Sequence, residues 1–204
     1  MGVESNYQSQ LKFTTDSIKK DVKDVLIIGG GDSVFIHKEA LNNFILSNSN
    51  LIIILTTTKH CETLDLSKHT KILCLGGNKI DASYLEKFVE SIDLICTPSS
   101  IYSASSEFSH LEIDVLEMPR SILFEGLDSP LAIAFDICVL KNAARVFIAG
   151  FDGYSANGPL KHKNLMDENQ LILDLYQREK VPPRFLLKSS YKNVEYSSIY
   201  ASLS

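Results

Sequence analysis

The stretch DVLIIGGGDSVFIHKEALNNFI, residues Asp24 to Ile45, decides the fold. Its first run, Asp24 to Ile28, predicts a strand covered on both faces. Three glycines follow, and from Val34 to Leu46 apolar residues recur at three- and four-residue spacing, which predicts a helix. Strand, glycine turn and helix placed end to end open a parallel α/β unit. Glycine lets backbone N–H groups approach an anion with no Cβ in the way, and a helix start adds the positive end of a dipole. Gly29, Gly30, Gly31 and Ser33 are therefore candidates to cradle a phosphate. A glycine turn without a ligand, with Ser33 capping the helix, accounts for the same residues about as well.

The pattern repeats along the 204 residues. Further strands are expected over Leu51–Leu55, Lys71–Leu75, Asp93–Cys96, Arg145–Ala149 and Arg184–Leu187, and helices over Ala82–Val89, Leu131–Leu140 and Glu168–Gln177. Leu111–Met118 alternates in part, as an edge strand would, and the serine-rich Thr97–Ser109 reads as a long loop. The expected fold is α/β: an open, mostly parallel Rossmann-like sheet with helices on both faces, in a single domain. Residues 1–22 are expected as a polar tether or first helix, and residues 23–204 as the Rossmann-like nucleotide-binding domain.

Charge and composition narrow the partners. With 20 basic against 25 acidic side chains the net charge is −5, and no basic stripe interrupts the chain. Nucleic acid and anionic membrane surfaces are disfavoured. The longest aliphatic run, Leu51 to Leu55, is far short of the roughly 20 residues that span a bilayer. The N-terminal residues lack an apolar signal core, so a cytoplasmic location is expected. Cys61, Cys74, Cys96 and Cys138 have no CxxC spacing and read as buried, reduced thiols. His37, His60, His69 and His110 are scattered without ligand spacing, and no metal site is expected.

In a parallel sheet all strands end at one edge, so ligand-binding residues are sought just after strands and just before helices. The dinucleotide pattern GxGxxG fits only at Gly29 and Gly31, because Val34 stands at its third position. Where an acid would take the adenosine ribose, the chain has Thr56, Thr57, Thr58 and Lys59, so ordinary NAD binding is disfavoured. After the third strand, Gly76–Asn78 places an asparagine that can donate and accept at once, or that merely tolerates positive φ. Ser129 before Pro130 is a strong helix start, with Asp128 as an alternative cap. After Arg145–Ala149 comes GFDGY, in which Gly150, Asp152 and Tyr154 put a carboxylate and a phenol on a sharp turn. Asp152 could accept from a ribose hydroxyl and Tyr154 could reach a phosphate; an Asx-type turn is the bland alternative. Lys161, His162 and Lys163 could neutralise a diphosphate, with His162 or Glu168 as general base, though a solvated charge run before a helix with acids in its first turn accounts for them too.

In this order, VLIIGGGDSV, GGN, DSPLAIAFDICVLKNAARVFIAGFDGYS and DENQLILDLY resemble a C-terminal domain of bacterial aldolase-like proteins. Those chains carry a separate barrel related to 4-hydroxy-2-oxovalerate aldolases and HMG-CoA lyases, and many are associated with surface-polysaccharide synthesis. The resemblance covers about Lys23 to Leu203. More distantly the chain is similar to CMP-sialic-acid-dependent sialyltransferases and to 6-hydroxymethylpterin diphosphokinase-like proteins. The sialyltransferase resemblance implies that Gly29, Gly31, Ser33, Asn78, Asp128, Ser129, Gly150, Asp152 and Tyr154 hold a CMP- or CDP-type nucleotide. Departures are Gly30, where that family has asparagine, the Thr56–Thr58 run in place of a second asparagine, and His162, which does not align with the family's catalytic histidine.

The resemblance implies a domain that binds a nucleotide or nucleotide-sugar in lipopolysaccharide or capsule synthesis. If catalytic, it would be a glycosyltransferase-like group-transfer enzyme. A noncatalytic module that docks an aldolase-like barrel, in the same chain or a partner, is the first alternative. The second is a pyrophosphokinase-like transferase using ATP and Mg²⁺, which lacks the P-loop lysine signature here. A homo-oligomer is compatible with all three.

Overall fold

The structure is a computed structural model that describes residues 24–76, 85–98, 113–118, 123–124, 127–155 and 158–200. Its strands are β1 (Asp24–Ile28), β2 (Leu51–Leu55), β3 (Thr70–Cys74), β4 (Leu94–Pro98), β5 (Asp114–Met118), β6 (Arg145–Ala149), β7 (Arg184–Phe185) and β8 (Glu195–Tyr196). The helices are α1 (Ser33–Ile36), α2 (Lys38–Ser47), α3 (Pro130–Leu140) and α4 (Leu160–Glu179), with a 3₁₀ turn at Val89–Ser91. All eight strands are parallel and form one sheet in the order β5-β4-β3-β2-β1-β6-β7-β8.

Alternation along the strands divides the core. Val25 and Ile27 of β1 face one cluster with Phe135 of α3 and Ile172, Leu173 and Tyr176 of α4. Leu26 and Ile28 face the other, with Leu41, Phe44 and Ile45 of α2. Both faces are thus covered, and β1 and β2 are buried at every position, which is why they read as continuous apolar runs. Each large aliphatic side chain so buried contributes about 1.5–3 kcal/mol. The expected open α/β sheet in a single domain is the observed one, and Leu111–Met118 does supply an edge strand, β5.

Several boundaries differ from those expected. The first helix is interrupted at His37, whose Nδ1 lies 2.8 Å from the Tyr200 hydroxyl. β7 is two residues long, and Leu186 and Leu187 beyond it stay buried in the core, so the apolar run reads longer than the strand. The late helix begins at Leu160, eight residues before the expected Glu168. Lys161, His162 and Lys163 therefore form its first turn, and Asp167, Glu168 and Asn169 lie about two turns inside it. A run of charged residues in the first turn hid a start set by Gly158 and Pro159. Of the helix expected at Ala82–Val89, residues 82–84 lie outside the described residues; Leu85 is helical, residues 86–88 form a turn and Val89 enters the 3₁₀ turn. The tether at residues 1–22 and the part of the Thr97–Ser109 loop after Pro98 also lie outside them.

The four cysteines are buried and free. Burial pushes the Cys61 thiol up to about 11 and Cys96 up to about 12, and raises Cys74 and Cys138 further, so none is a ready nucleophile. Among the described residues no helix is long and apolar enough to cross a membrane.

Candidate functional site

The connectivity points to a candidate site. The chain runs outward from β1 to β5 on one side, then returns to add β6, β7 and β8 on the other, so β1 and β6 flank the topological switch point. In open α/β sheets a crevice forms there, outside the carboxyl ends of the strands. The two loops at this point are Gly29–Ser33 and Gly150–Tyr154.

These loops touch. The Gly29 amide donates to the Ala149 carbonyl and the Gly31 amide to the Gly150 carbonyl, each at 2.8 Å. The Ser33 amide donates to Asp152 Oδ2 at 2.9 Å, and the Ser33 hydroxyl donates to Oδ1 of the same carboxylate. Asp152 thus caps α1 from the loop after the neighbouring strand, while Asp32, next to the helix in sequence, makes no side-chain cap bond. A Cβ on Gly29 would lie 2.5 Å from the Gly150 carbonyl oxygen, and one on Gly31 would fall inside the Asp152 carboxylate. Gly150 has φ of +72°, a conformation that glycine adopts at little cost.

The glycines of this turn differ in what surrounds them. Gly29 and Gly31 make room for Gly150, Phe151 and Asp152, and their amides are already committed. Gly30 differs: it is exposed, a Cβ there would meet only the Thr57 methyl at 3.5 Å, and its amide has no partner among the described residues.

Three further segments close on this junction, and sequence reasoning missed two of them. After β2, Lys59 Nζ donates to the Gly30 carbonyl at 2.8 Å and pairs with Asp32 at 2.7 Å, while His60 Nε2 lies 3.1 Å from the Gly31 carbonyl. A carbonyl can only accept, so His60 carries its proton on Nε2. Burial, reinforced by the Lys59 charge, holds its pKa below the ordinary histidine value. From the C-terminal loop, Ser190 donates its amide to the Asp152 carbonyl at 2.9 Å, and the Ser189 hydroxyl donates to the Phe151 carbonyl at 2.5 Å. Neither segment carries a motif. The only signal for the first was that β2, as a neighbour of β1, would bring its loop alongside.

The third segment is α4. His162 lies with its ring centroid 4.9 Å from that of Tyr154, tilted by 31°. A Cβ on Gly153 would come within 3.3 Å of Met166 Sδ, and Asn169 donates to the Tyr191 hydroxyl at 3.0 Å. His162, Met166 and Asn169, at i, i+4 and i+7, therefore form the stripe of α4 that faces the turn. Glu168 sits about 120° off that stripe and about 9 Å along the axis from His162, so the two candidate bases do not converge on one atom.

Asp128 and Ser129 belong to a neighbouring junction. Ser129 is buried and its Oγ accepts from the Ala132 amide at 3.3 Å, so it is the cap of α3; Asp128 is exposed and does not take that role. A Cβ on Gly76 would lie 2.6 Å from Pro130 Cδ, which shows how closely the end of β3 meets this helix start. β3 is two strands, about 10 Å, from β1. Asn78 lies outside the described residues.

No protein-family model matches this chain, and no curated protein matches it.

Proposed function

We propose that the chain binds a nucleotide or nucleotide-activated sugar in the crevice outside the carboxyl ends of β1 and β6. The observation that carries this reading is the contact of the Gly29–Ser33 and Gly150–Tyr154 loops at the switch point of a fully parallel sheet. Ser33 orients Asp152, and each carboxylate oxygen keeps a lone pair for a ribose hydroxyl. The Gly30 amide is left for a phosphate oxygen, and the exposed Tyr154–His162 pair offers a face on which a base or sugar can stack. Lys161 and Lys163 stand exposed in the first turn of α4, where their charge favours a diphosphate. If the site turns over, the reaction is group transfer with His162 as base, and Mg²⁺ could accompany the diphosphate. Cytidine nucleotides and surface-glycan synthesis follow from the resemblance drawn above.

Calorimetry with cytidine, uridine, adenine and guanine mono- and diphosphates, with and without Mg²⁺, tests the proposal; absence of binding by all of them sinks it. Asp152→Ala should weaken binding by roughly tenfold to a hundredfold, as for a hydrogen bond to a charged group. Unchanged or tighter binding in that variant removes Asp152 from the ribose role.

A second reading rests on one observation: the amides of Gly29, Gly31 and Ser33 are all satisfied within the protein. A loop that fills its own anion site suits a noncatalytic module docking an aldolase-like barrel. Turnover by this chain that is lost in His162→Ala eliminates it.

A further inference from the structure

Toward the opposite edge of the sheet, a cavity of about 360 Å³ lies where the first residues of β6 and β7 pass the end of α2. Arg145 and Phe147 of β6, Arg184 of β7, Phe44 and Asn48 at α2, and Ser197 after β8 line it. Strand register puts the charged groups on one face, since Asp24 pairs with Arg145, and Phe147 with Arg184, which in turn pairs with Glu195. Arg145 spends Nε and one Nη hydrogen on Asp24, at 2.8 and 2.5 Å, and its guanidinium carbon stands 5.6 Å from the centroid of the Phe147 ring. Three of its five N–H donors remain. Arg184 is exposed and its guanidinium has neither a hydrogen bond nor an ion pair among the described residues, although Glu195 is its neighbour on β8. Phe44 and Phe147 meet edge to face at 5.2 Å and, being almost fully buried, form the cavity floor. The carbonyls at the end of α2 would repel an anion, but Ser47 Oγ, Asn48 Nδ2 and the Asn48 amide donate to those of Asn43, Phe44 and Ile45.

We infer that this cavity binds a small organic anion, its carboxylate or phosphate held between Arg145 and Arg184. The size is within the range of small-molecule sites, and planar guanidinium forks match both anions. Asp24 holds and neutralises Arg145, so Arg184 supplies the uncompensated charge.

The test is a titration of ¹⁵N-labelled protein with phenyl phosphate, benzoate and phenol, followed by ¹H–¹⁵N correlation spectra. Saturable shifts confined to the amides around Phe147, Arg184 and Ser197 are expected with the two anions and not with phenol. Arg184→Gln, an exposed substitution that leaves the fold intact, should weaken anion binding at least tenfold. Equal shifts with phenol, no shifts with either anion, or wild-type affinity in Arg184→Gln would each overturn the inference. Amides of Gly30 and Tyr154 are separate probes, so the outcome is independent of the nucleotide proposal.

Discussion

The carboxylate of Asp152 accepts from both the amide and the hydroxyl of Ser33, a residue 119 positions earlier in the chain. This one pair caps α1, joins the loops after β1 and β6, and places a negative charge where the glycine turn would otherwise receive one. Three properties of the domain follow from its geometry and that of its surroundings, and a fourth from the core beneath.

Removing the carboxylate should loosen the junction without dismantling the sheet. Asp152→Ala is expected to cost about 1–2 kcal/mol, the range for loss of a helix cap. Urea denaturation measures it, and an unchanged midpoint would mean that the Ser33 bonds contribute nothing.

Gly31 answers to the same carboxylate. Gly31→Ala drives a methyl group into Asp152 and should destabilise by roughly 1–3 kcal/mol. In the Gly31→Ala, Asp152→Ala double variant the clash is gone, so the two losses should sum to more than the measured total. Strict additivity in that cycle would contradict the contact.

His60 makes the junction sensitive to pH. Its folded pKa lies below the ordinary value near 6.5, so the unfolded chain binds the proton more readily. Stability from this group is full above pH about 6.5 and falls as pH drops through that value toward the lower folded pKa. Thermal melts from pH 7.5 down to 5.5 should show a decline that is reduced in His60→Gln, whose amide can still donate to the Gly31 carbonyl.

Beneath the site, Phe135 of α3 is fully buried and stacks on Tyr176 of α4 with ring centroids 4.0 Å apart. Phe135→Ala should cost about 3–5 kcal/mol. Chemical denaturation reads the loss, and a cost under 1 kcal/mol would show that the two helices do not depend on this contact.

Much of the architecture was legible residue by residue. β1, β2 and β6 match their aliphatic runs because strands covered on both faces must be apolar throughout, and α3 starts at Ser129–Pro130 because cap and first-turn chemistry are local. Where the reading slipped, misleading local composition hid the boundary: the Lys161–Lys163 charges concealed the start of α4.

By itself, then, the sequence determined a parallel α/β sheet and the positions of its turns, since periodicity, β-branching and capping act over a few residues. Only the tertiary structure decided what the glycines are for. Their neighbours, Gly150, Phe151 and Asp152, arrive from beyond four intervening strands, and close approach between backbones leaves no trace in the local pattern. The same holds for Lys59, His60, Ser189 and Ser190, ordinary polar residues in sequence that the fold turns into the walls of one junction.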